Sequence, residues 1–376
     1  MKLGINAARA RSGGAVAHLV GILGTVNPRE FGIREVHVWG YQKLVQALPK
    51  RPWLKLHIPG CANRSILLQL LWERFTLPTL LDEMKCDLLF NVDAGSICRF
   101  KPAVTASQDM LSYEPGEMQR YCFSRAWLRL WVLKLVQNAA LRWADGAIFL
   151  TRYAGKVIQG SCGKLQNVAY IPHGVGSEFK KVRHRRFPSR NKPIQILYIS
   201  NIAPYKHPWM VVEAVAHLRA KGYDLRLSLV GGGEKPAKLR LERCMAEHDP
   251  KSKFVKIYPF VEHADVPKYL AQADLFVFAS SCENMPVTLL EAMAAGLPIA
   301  CSDRGPMPEV LKHGGVYFKP EDPGTIAAAM EILITDSSQR KTLAERASQL
   351  AGKYSWERCG KETFSFLAQT AKTALL

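Results

Sequence analysis

The chain lacks the short strings by which proteins most often hold metals and cofactors. It has no Asp-x-Asp, no Cys-x-x-Cys, no Gly-x-Gly-x-x-Gly and no Gly-x-x-x-x-Gly-Lys-[Ser/Thr]. Their absence argues against a metal clamp on a diphosphate, a zinc ribbon, a dinucleotide fingerprint and a P-loop. No apolar run reaches the roughly 18 residues of a membrane span, and the opening MKLGINAARARSGG has no apolar core of signal-peptide length. A cytoplasmic protein is the expectation. The nine cysteines are odd in number and unpatterned, which fits a reducing compartment rather than a disulfide framework. Low-complexity tracts and repeats of solenoid period are also missing, so disordered, fibrous and solenoid architectures are disfavoured.

What is present describes a globular chain. Its 376 residues suit two domains of roughly 150–200 residues each. Hydrophobic residues make up 48% and charged residues 22%, proportions of a folded protein. Lys plus Arg (51) exceed Asp plus Glu (32), giving a net charge of +19. Such a field draws polyphosphates, nucleic acid or an anionic membrane surface, and selects none of them.

Short apolar runs alternate with helical stretches in two series. The first holds LGI (3–5), VHVW (36–39), LKLHI (54–58), DLLF (87–90), AVTA (103–106) and GAIFL (146–150); the second holds PIQILYIS (193–200), LRLSLVG (225–231), DLFVFAS (274–280), LPIACS (297–302) and GVYF (315–318). Each series reads as a parallel α/β sheet. Between them KKVRHRRFPSRNKP (180–193) is basic and proline-punctuated, like an exposed linker. The expected division is therefore a domain over 1–182, a linker over 183–192 and a second domain over 193–354. Residues 355–376 are expected to form a helix from Trp356, with Phe364, Phe366, Leu367, Ala371 and Leu375 at helical spacing. Spacing does not name its host domain; packing back on the first domain is the expectation entertained.

The densest signal is SSCENMPVTLLEAMAAGLPIACSDRG (280–305). It starts where a buried strand ends, which is where open α/β sheets bind ligands. Pro286 is expected at a first helical position, with the helix running to about Ala295 and stopped by Gly296 and Pro298. The free N–H groups of that helix form an anion site suited to a diphosphate. Glu283 precedes the helix and Glu291 lies more than a turn inside it. Two carboxylates beside an anion site make sense when the ligand also offers hydroxyls, as a sugar nucleotide does. By spacing alone, two glutamates eight apart are common as solvated charges.

This string resembles the E-x7-E region of retaining glycosyltransferases of the GT-B fold, family 4 type. The resemblance implies two Rossmann-like, doubly wound domains facing a cleft, with the donor in the second. It implies that Glu283 approaches the transferred sugar and Glu291 binds the donor ribose. The backbone from Asn284 and Met285 through Pro286 and Val287 to Thr288 would face the diphosphate and sugar. ENMP stands where the family often has E-G-F-G.

A second segment, PIQILYISNIAPYKHPWMVVEAVAHLRAKG (193–222), is a strand, a loop and a helix opened by Pro208 and closed by Gly222. Lys206 sits just before that helix, where a cation can neutralise a leaving diphosphate. It resembles the family segment with Arg and Lys five apart, with Asn201 in the Arg place. LVGGGE (229–234) resembles the loop beneath the donor nucleotide, which points to Gly231; a simple turn is the other reading. YPFVEHADVPKYLAQAD (258–274) resembles the segment bordering the base, with Phe260 or Val261 nearest it.

In the amino-terminal half, RSGGAVAHLVGIL (11–23) places Gly13 and Gly14 ahead of a helix, like the family loop over donor phosphates and acceptor. TASQDMLSYEP (105–115) has Gln108 where the family often has His, leaving Asp109 as an acceptor-facing base or a turn residue. HGV (173–175) puts His173 in the place of a family Asn, where a hinge-side role is expected. RYCFSRAWLRLWVLKLVQNAALRW (120–143) sets Arg125 with Arg129 and Trp127 with Trp131 at i,i+4 spacing. Together with residues 180–192 it could lie on an anionic leaflet; tryptophans in a core and solvated arginines are the alternative.

The resemblance implies metal-independent, retaining transfer of a hexosyl group from a nucleoside diphosphate sugar to a hydroxyl of a glycan or lipid-linked glycan, as in bacterial surface polysaccharide assembly. No cofactor beyond the donor is expected. Lys206, Glu283 and Asp109 are the expected catalytic residues. Competing readings are a GT-B epimerase or hydrolase using the same donor, and a basic nucleic-acid-binding protein. The latter lacks a zinc finger or an aromatic RNA-recognition string, so no nucleic acid is expected.

Overall fold

A computed structural model describes the chain except for residues 11, 12, 63, 122, 123, 183–186, 189–191, 375 and 376. The chain forms two compact units, Met1–Gly174 with Ser355–Leu376, and Val175–Tyr354.

The first unit holds strands β1 (Lys2–Ala7), β2 (Glu35–Gly40), β3 (Leu54–His57), β4 (Leu88–Asn91), β5 (Ala103–Ser107), β6 (Gly146–Phe149) and β7 (Val168–Tyr170). They form one parallel sheet in the order β3-β2-β1-β4-β5-β6-β7. Helices α1 (Gly14–Thr25), α2 (Gln42–Ala47), α3 (Ile66–Leu71), α4 (Leu77–Glu83), α5 (Arg125–Trp143) and α6 (Arg152–Cys162) connect them, and a π-helical turn, Trp72–Thr76, joins α3 to α4. Helix starts follow local chemistry: Ser124 Oγ accepts from Trp127 N at 3.2 Å and Thr151 Oγ1 from Ala154 N at 3.1 Å, satisfying N–H groups that the helix itself cannot.

The second unit holds β8 (Ile194–Ile199), β9 (Leu225–Val230), β10 (Val255–Tyr258), β11 (Leu275–Phe278), β12 (Ile299–Ser302) and β13 (Val316–Phe318), parallel in the order β10-β9-β8-β11-β12-β13. Its helices are α7 (Pro208–Ala220), α8 (Lys235–His248), α9 (Val266–Gln272), α10 (Val287–Ala294), α11 (Met307–Leu311), α12 (Pro323–Thr335) and α13 (Ser337–Ala351). Central strands are mainly apolar because helices cover both faces; β11 is buried along its whole length. Ile196, Leu227, Leu275 and Val277 from the sheet meet Val212, Val215, Ile326 and Met330 from the helices in one core.

The last helix, α14 (Trp356–Ala374), packs in the first unit. Phe364, Leu367 and Ala371 join Leu19, Ile22 and Phe90 in its core. A Cβ on Gly21 would lie 2.2 Å from the Trp356 ring, so only a glycine in α1 lets α14 approach this closely.

The crossing between units differs from the expected place. It falls at Gly174 and Val175 rather than in residues 183–192, most of which lie outside the described residues. Val175 N donates to Tyr354 O at 3.4 Å, and Phe179 is fully buried with its ring 5.4 Å from that of His263. Those contacts tie 175–182 to the second unit. Two edge strands are additional to the expected series: β7, only three half-buried residues long, and β10, whose apolar residues are interrupted by the exposed Lys256.

Candidate active site

In the second unit the strand order reverses between β8 and β11, which are hydrogen-bonded neighbours with Leu275 opposite Ile196. The loops leaving their carboxyl ends turn to opposite sides and open a crevice. The β8 loop carries Asn201 and Lys206; the β11 loop carries Glu283 and Asn284.

These loops are fastened together. Ser281 N donates to Tyr205 O at 2.8 Å, and His207 Nε2 lies 2.9 Å from Ser281 Oγ. His207 is buried in the left-handed conformation, φ 50°, at the start of α7, and Tyr198 Oη donates to Lys206 O. With its backbone fixed, Lys206 donates from Nζ to Glu283 Oε1. Both side chains of this ion pair are largely buried, 13% and 15% exposed. Two residues far apart in sequence thus share one position at the reversal of the sheet.

Pro286 is the residue before α10 rather than its first: its backbone, φ −80° and ψ 85°, is not helical, and the helix begins at Val287. No side chain caps this start, so its first N–H groups are left for a ligand or water. Asn284, Met285 and Pro286 are buried around it, and Val287 and Thr288 are half-buried on the first turn. Glu291 is 2% exposed. Its Oε1 lies 2.5 Å from Nε2 of His263, whose own side chain is mostly exposed. Burial pushes the Glu291 carboxyl up, and the hydrogen bond to Glu291 pushes the His263 imidazole up. The pair holds a proton across the boundary between interior and solvent.

The β9 loop closes the same end of the sheet. Ile202 N donates to Gly232 O at 2.7 Å and Glu234 N to Ile202 O at 3.0 Å. Gly231 has φ 143°, and a Cβ there would lie 2.1 Å from Ser200 O. Only glycine serves both demands. Asn201 is exposed beside this contact. Phe260 is exposed, and its Cβ lies 3.8 Å from the position a Cβ on Gly232 would take; Val261 is half-buried. The carboxyl ends of four adjacent strands therefore present Asn201, Lys206, Gly231, Phe260, Val261 and the 283–291 string. Sequence reasoning missed Tyr205, His207, Ser281 and His263. His263 stood inside the segment read as bordering the base; its bond to Glu291 is visible only in three dimensions.

In the first unit, Gly13 is the residue before α1, φ 68°, and Gly14 opens the helix. A Cβ on Gly14 would lie 3.5 Å from His173 Nε2 and 4.0 Å from Gln108 Oε1. The fold thus gathers three segments that sequence reading listed separately. His173 packs on His18 with ring centroids 5.0 Å apart. Burial pushes His18 down to about 4 and His173 well below its ordinary value, so both rings are neutral at pH 7. Ligand atoms of His18, His173 and Cys359 lie within 4.8 Å of one another. No sequence spacing announces this group. Asp109 Oδ1 accepts from Leu111 N at 3.0 Å, the hydrogen bond of a turn residue. Nearby Glu114 accepts from Tyr153 Oη at 2.5 Å, and burial pushes its carboxyl up to about 7. Trp127 and Trp131 are exposed on α5 rather than in the core. Among the described residues no helix is long and apolar enough to cross a membrane.

Residues 179–350 match the family model described as Glycosyl transferases group 1. Similar proteins include the alpha-D-kanosaminyltransferase of Streptomyces kanamyceticus, 26% identical over 243 residues covering 61% of this chain and 62% of that protein. O-antigen chain mannosyltransferase B of Escherichia coli is 29% identical over 172 residues, 45% of this chain and 44% of that protein. Both matches span less than two thirds of the relative's own length. Among solved structures, Anabaena HepE in complex with UDP-glucose superposes with a TM-score of 0.71 at 19% identity, covering 99% of each chain. WaaG, a glycosyltransferase involved in lipopolysaccharide biosynthesis, gives 0.71 at 15% identity over 98% of this chain and 99% of its own. These likenesses agree with the expected two-domain GT-B architecture. Residues 179–350 are thus similar to the glycosyl transferases group 1 domain, a match that spans a little under half of the chain.

Proposed function

We propose that this chain transfers a hexosyl group from a nucleoside diphosphate sugar to a hydroxyl of a glycan or lipid-linked glycan, with retention at the anomeric carbon and without a metal. The observation that carries this reading is the Lys206–Glu283 pair beside the uncapped start of α10, with Glu291 on the same helix.

The bond from the anomeric carbon to the diphosphate breaks, a bond to the acceptor oxygen forms on the same face, and the acceptor proton passes to the departing phosphate. Lys206 and the N–H groups from Val287 and Thr288 neutralise the charge growing on that phosphate. Preorganised donors of this kind are worth about 3–4 kcal/mol each in a water-excluded site. Glu283 accepts from the hydroxyls of the transferred sugar, and Glu291 from those of the ribose. Gly231 admits the nucleotide backbone closely, and Phe260 or Val261 borders the base. In the first unit, Gly13 and Gly14 face phosphate or acceptor, and Asp109 faces the acceptor hydroxyl. Exposed Trp127 and Trp131 beside Arg125 and Arg129 support contact with an anionic membrane surface, where surface polysaccharides are assembled on lipid carriers.

The test is a binding and turnover panel of UDP-, GDP-, ADP- and dTDP-sugars, with uridine first because HepE was solved with UDP-glucose. Saturable binding of one donor class and acceptor-dependent product with a retained anomer support the proposal. Donor turnover to an isomer without acceptor would assign an epimerase instead.

A further inference from the structure

Three side chains able to ligate a metal meet inside the first unit. One ligand atom each of His18, His173 and Cys359 lies within 4.8 Å of the other two. His18 is on the buried face of α1 beside Leu19 and Ile22, His173 follows β7 and directly precedes Gly174, and Cys359 is in the first turn of α14. All three are buried, 2%, 2% and 1% exposed. The two imidazole centroids are 5.0 Å apart, and both rings border that of Trp356, at 6.5 and 5.7 Å.

This packing leaves polar capacity unused. His173 Nδ1 is buried with no hydrogen-bond partner. His18 Nδ1 has Gln108 Nε2 3.5 Å away, at the outer limit of a hydrogen bond. A buried nitrogen left unpaired costs free energy, and coordination of an ion relieves that cost. The donor set selects the ion: two imidazoles and a sulfur, with no carboxylate, suit soft ions and disfavour Mg²⁺ and Ca²⁺. Bonds of about 2.0–2.1 Å to nitrogen and about 2.3 Å to sulfur put ligand atoms about 3.4–3.8 Å apart around one ion. The spread seen here closes with side-chain shifts of about 1 Å, and a d¹⁰ ion imposes no geometry of its own. The setting gives such an ion a purpose. A Cβ on Gly174 would lie 2.1 Å from Trp356 N, so the chain leaving the first unit touches the chain returning to it. The ligands lie on both passages.

We propose that His18, His173 and Cys359 bind one thiophilic d¹⁰ ion, Zn²⁺ or Cu⁺, in a buried site that clasps α1, the end of the outgoing passage and the start of α14. The ion takes no part in sugar transfer, and its ligands serve whatever donor the chain uses. Full-length protein is stripped with a chelator under reducing conditions and titrated separately with Zn²⁺ and with Cu⁺, each against a competing chelator, with stoichiometry read by native mass spectrometry. One ion per chain and a raised melting temperature are expected with at least one of the two metals. X-ray absorption of the loaded wild type should show one sulfur and two imidazoles; three ligands in all identify a trigonal Cu⁺ site, and a fourth identifies Zn²⁺. Cys359→Ser and, separately, His173→Asn should weaken binding by about a hundredfold or more, since even outer-shell partners are worth about 10–100-fold. Circular dichroism of the metal-free variants checks that they fold, and the wild-type absorption spectrum decides where one does not. Wild type that binds neither ion one-to-one overturns the proposal. So does a first shell with another count of sulfurs, or a folded Cys359→Ser that binds like wild type, either of which places the ion elsewhere among the nine cysteines.

Discussion

His263 Nε2 and Glu291 Oε1 lie 2.5 Å apart, one side chain mostly in solvent and the other 3% exposed. If Glu291 receives ribose hydroxyls, nucleotide must displace His263 or share its carboxylate. The hydrogen bond raises the imidazole above its ordinary value, so the charged pair forms once Glu291 ionises above its own raised value and weakens as pH rises through that of His263. Its contribution to stability follows the same direction. UDP affinity measured by calorimetry should therefore increase from about pH 6 to about pH 8.5, and His263→Phe should flatten the profile. An equal slope in the variant would reject a gating role.

Lys206→Met should lower kcat by about 10²–10³ while circular dichroism stays native, because the side chain reaches Glu283 from a backbone fixed independently through Tyr198 and Ser281. Glu291→Ala should abolish turnover with the fold retained. A wild-type rate in either variant would remove that residue from the proposed mechanism.

Gly231→Ala should destabilise the second unit by about 1–3 kcal/mol, since a Cβ there meets Ser200 O at 2.1 Å with φ at 143°. Donor affinity should fall with it, as the contact joins the β8 and β9 loops. Chemical denaturation reads the first effect. An unchanged midpoint would show that the loops can part without cost.

Arg9→Met should cost about 3–5 kcal/mol, because it leaves Glu73 buried without its ion-pair partner. Arg9→Met/Glu73→Gln should recover much of that loss. A double variant no more stable than the single one would show that the carboxylate's charge was not the cause.

Glu114 offers a second pH test. Its folded-state value of about 7 lies above the ordinary carboxylate value near 4.3, so the folded protein binds this proton more tightly than the unfolded chain does. Stability from that protonation is lost as pH rises through about 7. Glu114→Gln, which can keep the Tyr153 bond, should raise the melting temperature most at pH 8, by less at pH 5.5 and hardly at all at pH 4. No difference among these pH values would contradict the shift.

Much of this molecule was legible in its residue order because the relevant signals are local. Buried parallel strands must be apolar on both faces, so central strands such as β8 and β11 announced themselves as continuous runs. Helix α7 was legible from Pro208 and Gly222, and the 283–291 string from its position after a buried strand. Strands β7 and β10 escaped, β7 because it is only three residues long and β10 because Lys256 breaks its apolar run. The unit boundary was misplaced for a related reason: a basic, proline-rich stretch looks like a linker wherever the crossing lies, and the burial of Phe179 that moves the crossing upstream is a tertiary fact.

Sequence by itself determined two α/β units and the place of helices such as α7, because periodicity and turn chemistry act over a few neighbours. Only the folded chain decided that Lys206 meets Glu283, that His263 covers Glu291, and that His18, His173 and Cys359 gather in one place. Those pairings span tens to hundreds of residues. They are fixed by the order of strands in each sheet and by which polar groups must be satisfied inside, and neither quantity is written in any local stretch of the chain.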